Sequence, residues 1–88
     1  MKFVGLIKFK RKMDRELVDW TVKRIQADEK EGIRFLSIVW TLGRYDAIAL
    51  YEAPDEKAAM KLSIERGEVM DIETLVAVPV EEARKLVE

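Results

Sequence analysis

The hydrophobic positions of this chain fall into short blocks whose spacing changes along the sequence. KFVGLIKF, residues 2–9, is apolar, partly β-branched and aromatic, and too short for a helix; it predicts a strand. KRKMD interrupts it. Asp14 is placed to cap a helix from about Arg15 to Lys30, with Glu16 in the first turn complementing the helix dipole and Leu17, Val18, Val22 and Ile25 on one face. Gly32 supplies the stop. IRFLSIVWTL, residues 33–42, and DAIALYEA, residues 46–53, predict two strands whose short link makes a hairpin the simplest connection. Pro54, Asp55 and Glu56 open a second helix, from about Asp55 to Arg66, that ends at Gly67. VMDIETLVAV, residues 69–78, predicts a fourth strand closed by Pro79. VEEARKLVE then predicts a short helix that is marginal alone, so Val80, Ala83 and Val87 need a surface to dock on.

The order β-α-β-β-α-β is the split pattern of the ferredoxin-like α+β fold: an antiparallel sheet with both helices on one face, the first and third strands central. Alternation then sorts each strand into two rows. In the third strand Ala47, Ala49, Tyr51 and Ala53 form the row suited to close helix approach, which leaves Ile48 and Leu50 on the open face. In the first, Phe3, Ile7 and Phe9 alternate with Val4 and Leu6. In the second, Phe35 and Val39 form one row, and Leu36, Ile38, Trp40 and Leu42 the other. Two helices cover one side only, so the other exposes more apolar surface than a monomer usually leaves in water. The expectation is a homodimer, or a larger homo-oligomer, packed sheet to sheet.

Composition narrows the chemistry. Eighty-eight residues predict one domain over residues 1–88, small enough to profit from self-association. There is no cysteine and no histidine, which removes disulfides, thiolate nucleophiles and the commonest metal ligand and neutral-pH acid–base group. With 16 Lys plus Arg against 17 Asp plus Glu, the chain has no net attraction for nucleic acid or an anionic membrane. The cations of KFKRKMDR, residues 8–15, are offset by nearby acids and read as a solvated loop. No apolar run reaches the ~18 residues of a membrane span, and the reading is cytoplasmic. No phosphate loop, metal motif or nucleophile triad is present, and no cofactor is expected.

The hairpin TLGRYDAIALYEAPD carries the remaining candidates. Gly43 can take a positive φ and Asp46 can bond nearby amides, as a turn requires. Arg44 and Tyr45 go beyond what a turn requires, although Tyr45 packing over the sheet end and Arg44 pairing with Asp46 would be purely structural. Asp71 and Glu73 share one row of the fourth strand and fall with Glu52 on the open face, where paired carboxylates serve acid–base chemistry, hold a hard cation, protect the edge, or pair with Arg34 or Arg44 across a dimer; the structural roles are favoured.

These same residues carry a resemblance. Gly43, Tyr45 and Asp46 spell the Gly-x-Tyr-Asp signature of the GYD domain family; Glu52, Ala53, Pro54 and Asp55, and Glu73, Thr74 and Leu75, match its further stretches. The likeness runs from about Gly32 onward, is fainter in FVGLIKF, and departs between Lys10 and Glu31, where KRKM replaces the family's Thr-x-x-Gly. The family is similar to dimeric α+β barrel proteins, which implies the same sheet-to-sheet assembly. The sequence thus predicts a small-ligand-binding or interaction module, its pocket between sheet and partner subunit and bordered by Trp40, Arg44, Tyr45 and Asp46, with Glu73 the carboxylate to watch. The alternatives are a cofactor-free, monooxygenase- or isomerase-like enzyme for a small substrate and a purely structural oligomer; the reading leans away from catalysis.

Overall fold

Two aspartates set where the long helices begin. The side chain of Asp14 accepts a hydrogen bond from the Leu17 amide (2.9 Å), and that of Asp55 from the Ala58 amide (2.9 Å), each satisfying a donor that the first helical turn leaves free. The computed structural model describes residues 1–88, and its elements run β1 (Lys2–Phe9), α1 (Arg15–Lys30), β2 (Arg34–Trp40), β3 (Ala47–Glu52), α2 (Glu56–Glu65), β4 (Met70–Ala77) and α3 (Val80–Arg84), the last followed by a 3₁₀ turn. Every predicted element forms, with its ends moved by a residue or two, except that the last helix stops at Arg84 and the rest of it tightens into the 3₁₀ turn Lys85–Val87. Gly32 ends α1 with φ +90°, a conformation that other residues adopt only at a cost.

The sheet order is β2-β3-β1-β4, antiparallel throughout, with β1 and β3 central. This is the ferredoxin-like α+β arrangement. Phe3, Ile7, Ala47, Ala49 and Tyr51 are buried beneath α1 and α2, and Ala59 and Leu62 of α2 close the core above them. Tyr51 sits at its centre, its ring 5.5 Å from those of both Phe3 and Phe35. On the other face Val4, Leu6, Ile48 and Leu50 have no layer over them and are only half-buried. Asp71, Glu73 and Leu75 extend that face onto β4, opposite Lys8, Leu6 and Val4.

One strand departs from simple alternation. The β2–β3 register shifts between Phe35 and Ser37, so that Leu36 is an extra residue, a β-bulge. Beyond the bulge the rows exchange: Ile38 and Trp40 pair with Ala49 and Ala47 on the helix side, and Val39 pairs with Ile48 on the open side. The rows expected from strict alternation, Phe35 with Val39 and Ile38 with Leu36, are therefore wrong, and Trp40 belongs to the helix face.

The docking of α1 is the second departure. Asp28 is the one buried residue of this helix. Asp28 and Arg66 are 1% and 3% exposed and form a bidentate ion pair that joins the last turn of α1 to the end of α2. Arg24 reinforces it with a 2.8 Å bond to Glu65. At the other end of α1, Leu17 packs against the core. Between these two attachments Val18, Val22 and Ile25 stand off the sheet, above Gly5, Ala47 and Ala49. The small residues of the sheet do not draw the helix in; they leave space beneath it.

Candidate functional site

The hairpin after β2 is held by its own polar groups. The Thr41 amide donates to the Asp46 carbonyl (2.9 Å) and the Thr41 hydroxyl to the Tyr45 carbonyl (2.7 Å), closing the loop on itself. Gly43 turns the chain with φ +110° in open space. Asp46 fastens the loop to β1: its amide donates to the Ile7 carbonyl (2.8 Å), and its Oδ2 accepts from the Phe9 amide (2.8 Å). The carboxylate thus supplies the acceptor that the end of the ladder would otherwise lack. Gly43 and Asp46 are explained by the turn.

Tyr45 and Arg44 point elsewhere. The Tyr45 hydroxyl donates to Glu73 Oε2 (2.7 Å), bridging the hairpin to β4 across the end of the open face. That bond holds the Tyr45 phenol above its usual pKa, with Glu73's negative charge adding to the effect and the Arg44 guanidinium opposing it. Arg44 lies 5.7 Å from the centre of the Tyr45 ring and makes no ion pair, with Asp46 or any other residue. Lys8 Nζ donates to the Arg44 carbonyl (3.1 Å). Arg44, Tyr45 and Glu73 therefore meet at one corner of the open face. All three are solvent-accessible, and they line none of the three main cavities of the protomer.

Trp40 is not with them. It lies on the opposite face of the sheet, edge-on to Phe9 with ring centres 5.4 Å apart, and borders the space under α1. That space is a cavity of about 240 Å³, with an almost wholly apolar wall that includes Ile7, Phe9, Ile25, Phe35, Trp40 and Met70. Its mouth is marked by Val22, Ile38 and Trp40, which are lining residues yet 49%, 40% and 59% exposed.

The cavity wall holds few polar groups. Thr21 returns its hydroxyl to the Leu17 carbonyl (2.9 Å), and Arg66 is committed to Asp28. Tyr51 is different: its hydroxyl is buried and makes no hydrogen bond. Burial pushes the Tyr51 phenol above its usual pKa; neighbouring Thr74 opposes this weakly, its own hydroxyl being engaged with Ser63 at 3.0 Å. A buried hydroxyl without a partner costs roughly 1–3 kcal/mol.

The two charged residues that fix the cavity escaped the sequence reading, yet each left a trace. Asp28 lies three residues after Ile25 and Arg66 four after Leu62, so each falls on the stripe of its helix that faces the sheet. Opposite charges on two core-facing stripes are the signature of a buried pair.

No curated protein and no solved structure matches this chain. The GYD domain profile matches residues 10–87, including the Lys10–Glu31 stretch where the resemblance seemed to lapse. Spanning nearly the whole sequence and covering the Gly43-Arg44-Tyr45-Asp46 hairpin, that match places the chain in the GYD domain family.

Proposed function

We propose that this protein is a self-associating module that binds a small, uncharged, largely apolar molecule in the cavity between α1 and the sheet. The observation that carries the proposal is the cavity itself: about 240 Å³ of apolar-walled space held open within one protomer by attachments at both ends of α1. Binding pockets in proteins are usually of this kind, apolar with a few placed polar groups. Arg66, its one charged lining residue, is neutralised by Asp28, which disfavours an ionic guest. Binding is favoured over turnover because the wall carries no carboxylate, and the one titratable group without a partner, Tyr51, has its pKa raised away from neutrality.

The self-association is read from the open face, where Val4, Leu6, Val39, Ile48, Leu50 and Leu75 form an apolar centre with no cover. Each end of that centre carries both signs of charge: Lys2, Arg34 and Glu52 at one, Lys8, Asp71 and Glu73 at the other. A second copy of the same face satisfies both apolar cover and charge. Arg44, Tyr45 and Glu73 would then lie at the rim of the assembly and set its register.

The binding test uses 2-naphthol and 2-naphthalenesulfonate, aromatic probes of similar shape and different charge. The neutral probe is expected to raise the melting temperature by several degrees at 100-fold excess over its dissociation constant, where linkage supplies about 2.7 kcal/mol. The sulfonate should do little, and Ile25→Trp, which fills the cavity, should abolish the shift. Equal responses to both probes, or an effect that survives Ile25→Trp, would refute the cavity as the site. Light scattering at micromolar concentration tests association separately: a monomer would refute that half.

A further inference from the structure

The segment after β4 is apolar and has nothing to rest on. Val80, Leu86 and Val87 are 74%, 79% and 85% exposed, and α3 with its 3₁₀ turn makes no packed interface with any sheet strand or with α1 or α2. Eight residues of helix and turn do not persist in water without a packing surface. The outer edge of β2 has the converse problem. It is an unpaired strand edge, and Leu36, Ile38 and Val39 along it are 37%, 40% and 50% exposed. Native proteins cover or charge such edges; beyond Arg34 at its start, this one carries no charge and has no strand over it.

The two features cannot meet within one chain. Ala77 pairs with Lys2, so the segment leaves the sheet at the start of β1 and on the β4 side, whereas β2 is the opposite edge. Three strand spacings, roughly 14 Å, separate the edges, and the Ile38 position lies further along the strand. A helix and turn of this length span only about 12 Å.

A second copy removes the obstacle, and here the inference rests on the self-association proposed above. The open face covers roughly 450 Å² in plan, from four strands of about seven residues. A stable interface commonly buries about 800 Å² of accessible surface on each partner, so an arm added to a face this small enlarges a modest contact. A two-fold axis running along the strands places the β4 edge of each copy over the β2 edge of the other, with the Ala77 end over the Arg34 end. We infer that the segment Val78–Val87 is an exchanged arm that docks on the Leu36–Ile38 edge of a second copy of this chain. It completes the interface and caps the open edge together.

The test compares wild type with Leu86→Asp/Val87→Asp by sedimentation equilibrium. Both side chains are largely exposed in their own chain, so the variant should keep the native far-UV circular dichroism. Its dimer dissociation constant should rise roughly 100-fold, as expected from losing burial of two aliphatic side chains. A wild-type dimer with an unchanged dissociation constant in the variant would overturn the arm and leave sheet-to-sheet association standing. A wild-type monomer would overturn both. Because the chain has no cysteine, a second readout is available. Ser37→Cys and Leu86→Cys, mixed and oxidised, should yield mainly the disulfide between unlike chains; like-with-like products or none would overturn the arm.

Discussion

Replacing Asp28 by Asn tests the attachment on which the cavity depends. The change keeps the side-chain volume and removes only the charge, leaving the Arg66 guanidinium buried at 3% exposure without its counter-ion. Removing one member of a buried pair costs about 3–5 kcal/mol, because the surviving charge has neither water nor partner. A domain of 88 residues is stable by roughly 4–13 kcal/mol, so this is a large share of the total. The melting temperature should fall by at least about 12 °C. Urea titrations followed by circular dichroism, at one fixed protein concentration, give the free energies directly. Arg66→Met should cost a similar amount. The double variant Asp28→Leu/Arg66→Met should recover most of the loss, since a well-packed apolar pair replaces a buried ion pair at little cost. Together these variants form a cycle with a coupling of several kcal/mol. A loss below about 1 kcal/mol for Asp28→Asn, the scale of an exposed pair, would show that water reaches the site and that α1 is held some other way.

Three further outcomes follow from the same geometry. Tyr51→Phe removes the unpartnered hydroxyl and should leave stability near neutral pH unchanged or up to about 1 kcal/mol higher in urea melts. The wild-type phenol, its pKa raised on folding, contributes stability fully below the ordinary value of about 10 and loses it as the pH climbs through the folded value; Tyr51→Phe should flatten that alkaline decline in pH-dependent urea melts. Asp46→Ala deprives the Phe9 amide of its acceptor and should cost about 1–3 kcal/mol, whereas Tyr45→Phe, at an exposed bond, should change monomer stability by less than about 0.5 kcal/mol, a contrast that denaturant unfolding resolves.

How much of this was legible in the sequence differs from element to element. Asp14 and Asp55 announced their helices because capping is a local interaction between residues three apart. Strict alternation separated Phe3 and Ile7 from Val4 and Leu6, and the structure keeps those rows, the first beneath the helices and the second on the open face, because β1 is regular and central. The same rule failed on β2. Both rows of that strand are apolar, so a one-residue slip at Leu36 exchanges like for like and leaves no trace in the pattern. Its consequence was the misplacement of Trp40, which parts it from Arg44 and Tyr45 and brings it to the cavity.

The cavity was hidden for a different reason. A row of alanines reads as an invitation to close packing, and it is one only when nothing else sets the height of the helix. Here Leu17 at one end of α1 and the Asp28–Arg66 pair at the other set that height, through partners 38 residues apart in sequence. Long-range pairing of two charged residues inside charge-rich stretches is invisible to composition and weak in periodicity. The signature hairpin misled in the opposite sense. Gly43 and Asp46 stand out because the tight turn from β2 to β3 requires a positive φ and the end of β1 beside it a substitute backbone acceptor, and both demands are structural. What the turn does not require is Tyr45 reaching Glu73 across the open face. If that face is where two copies meet, the tyrosine of the signature belongs to assembly, and the binding of a guest belongs to residues the signature never names.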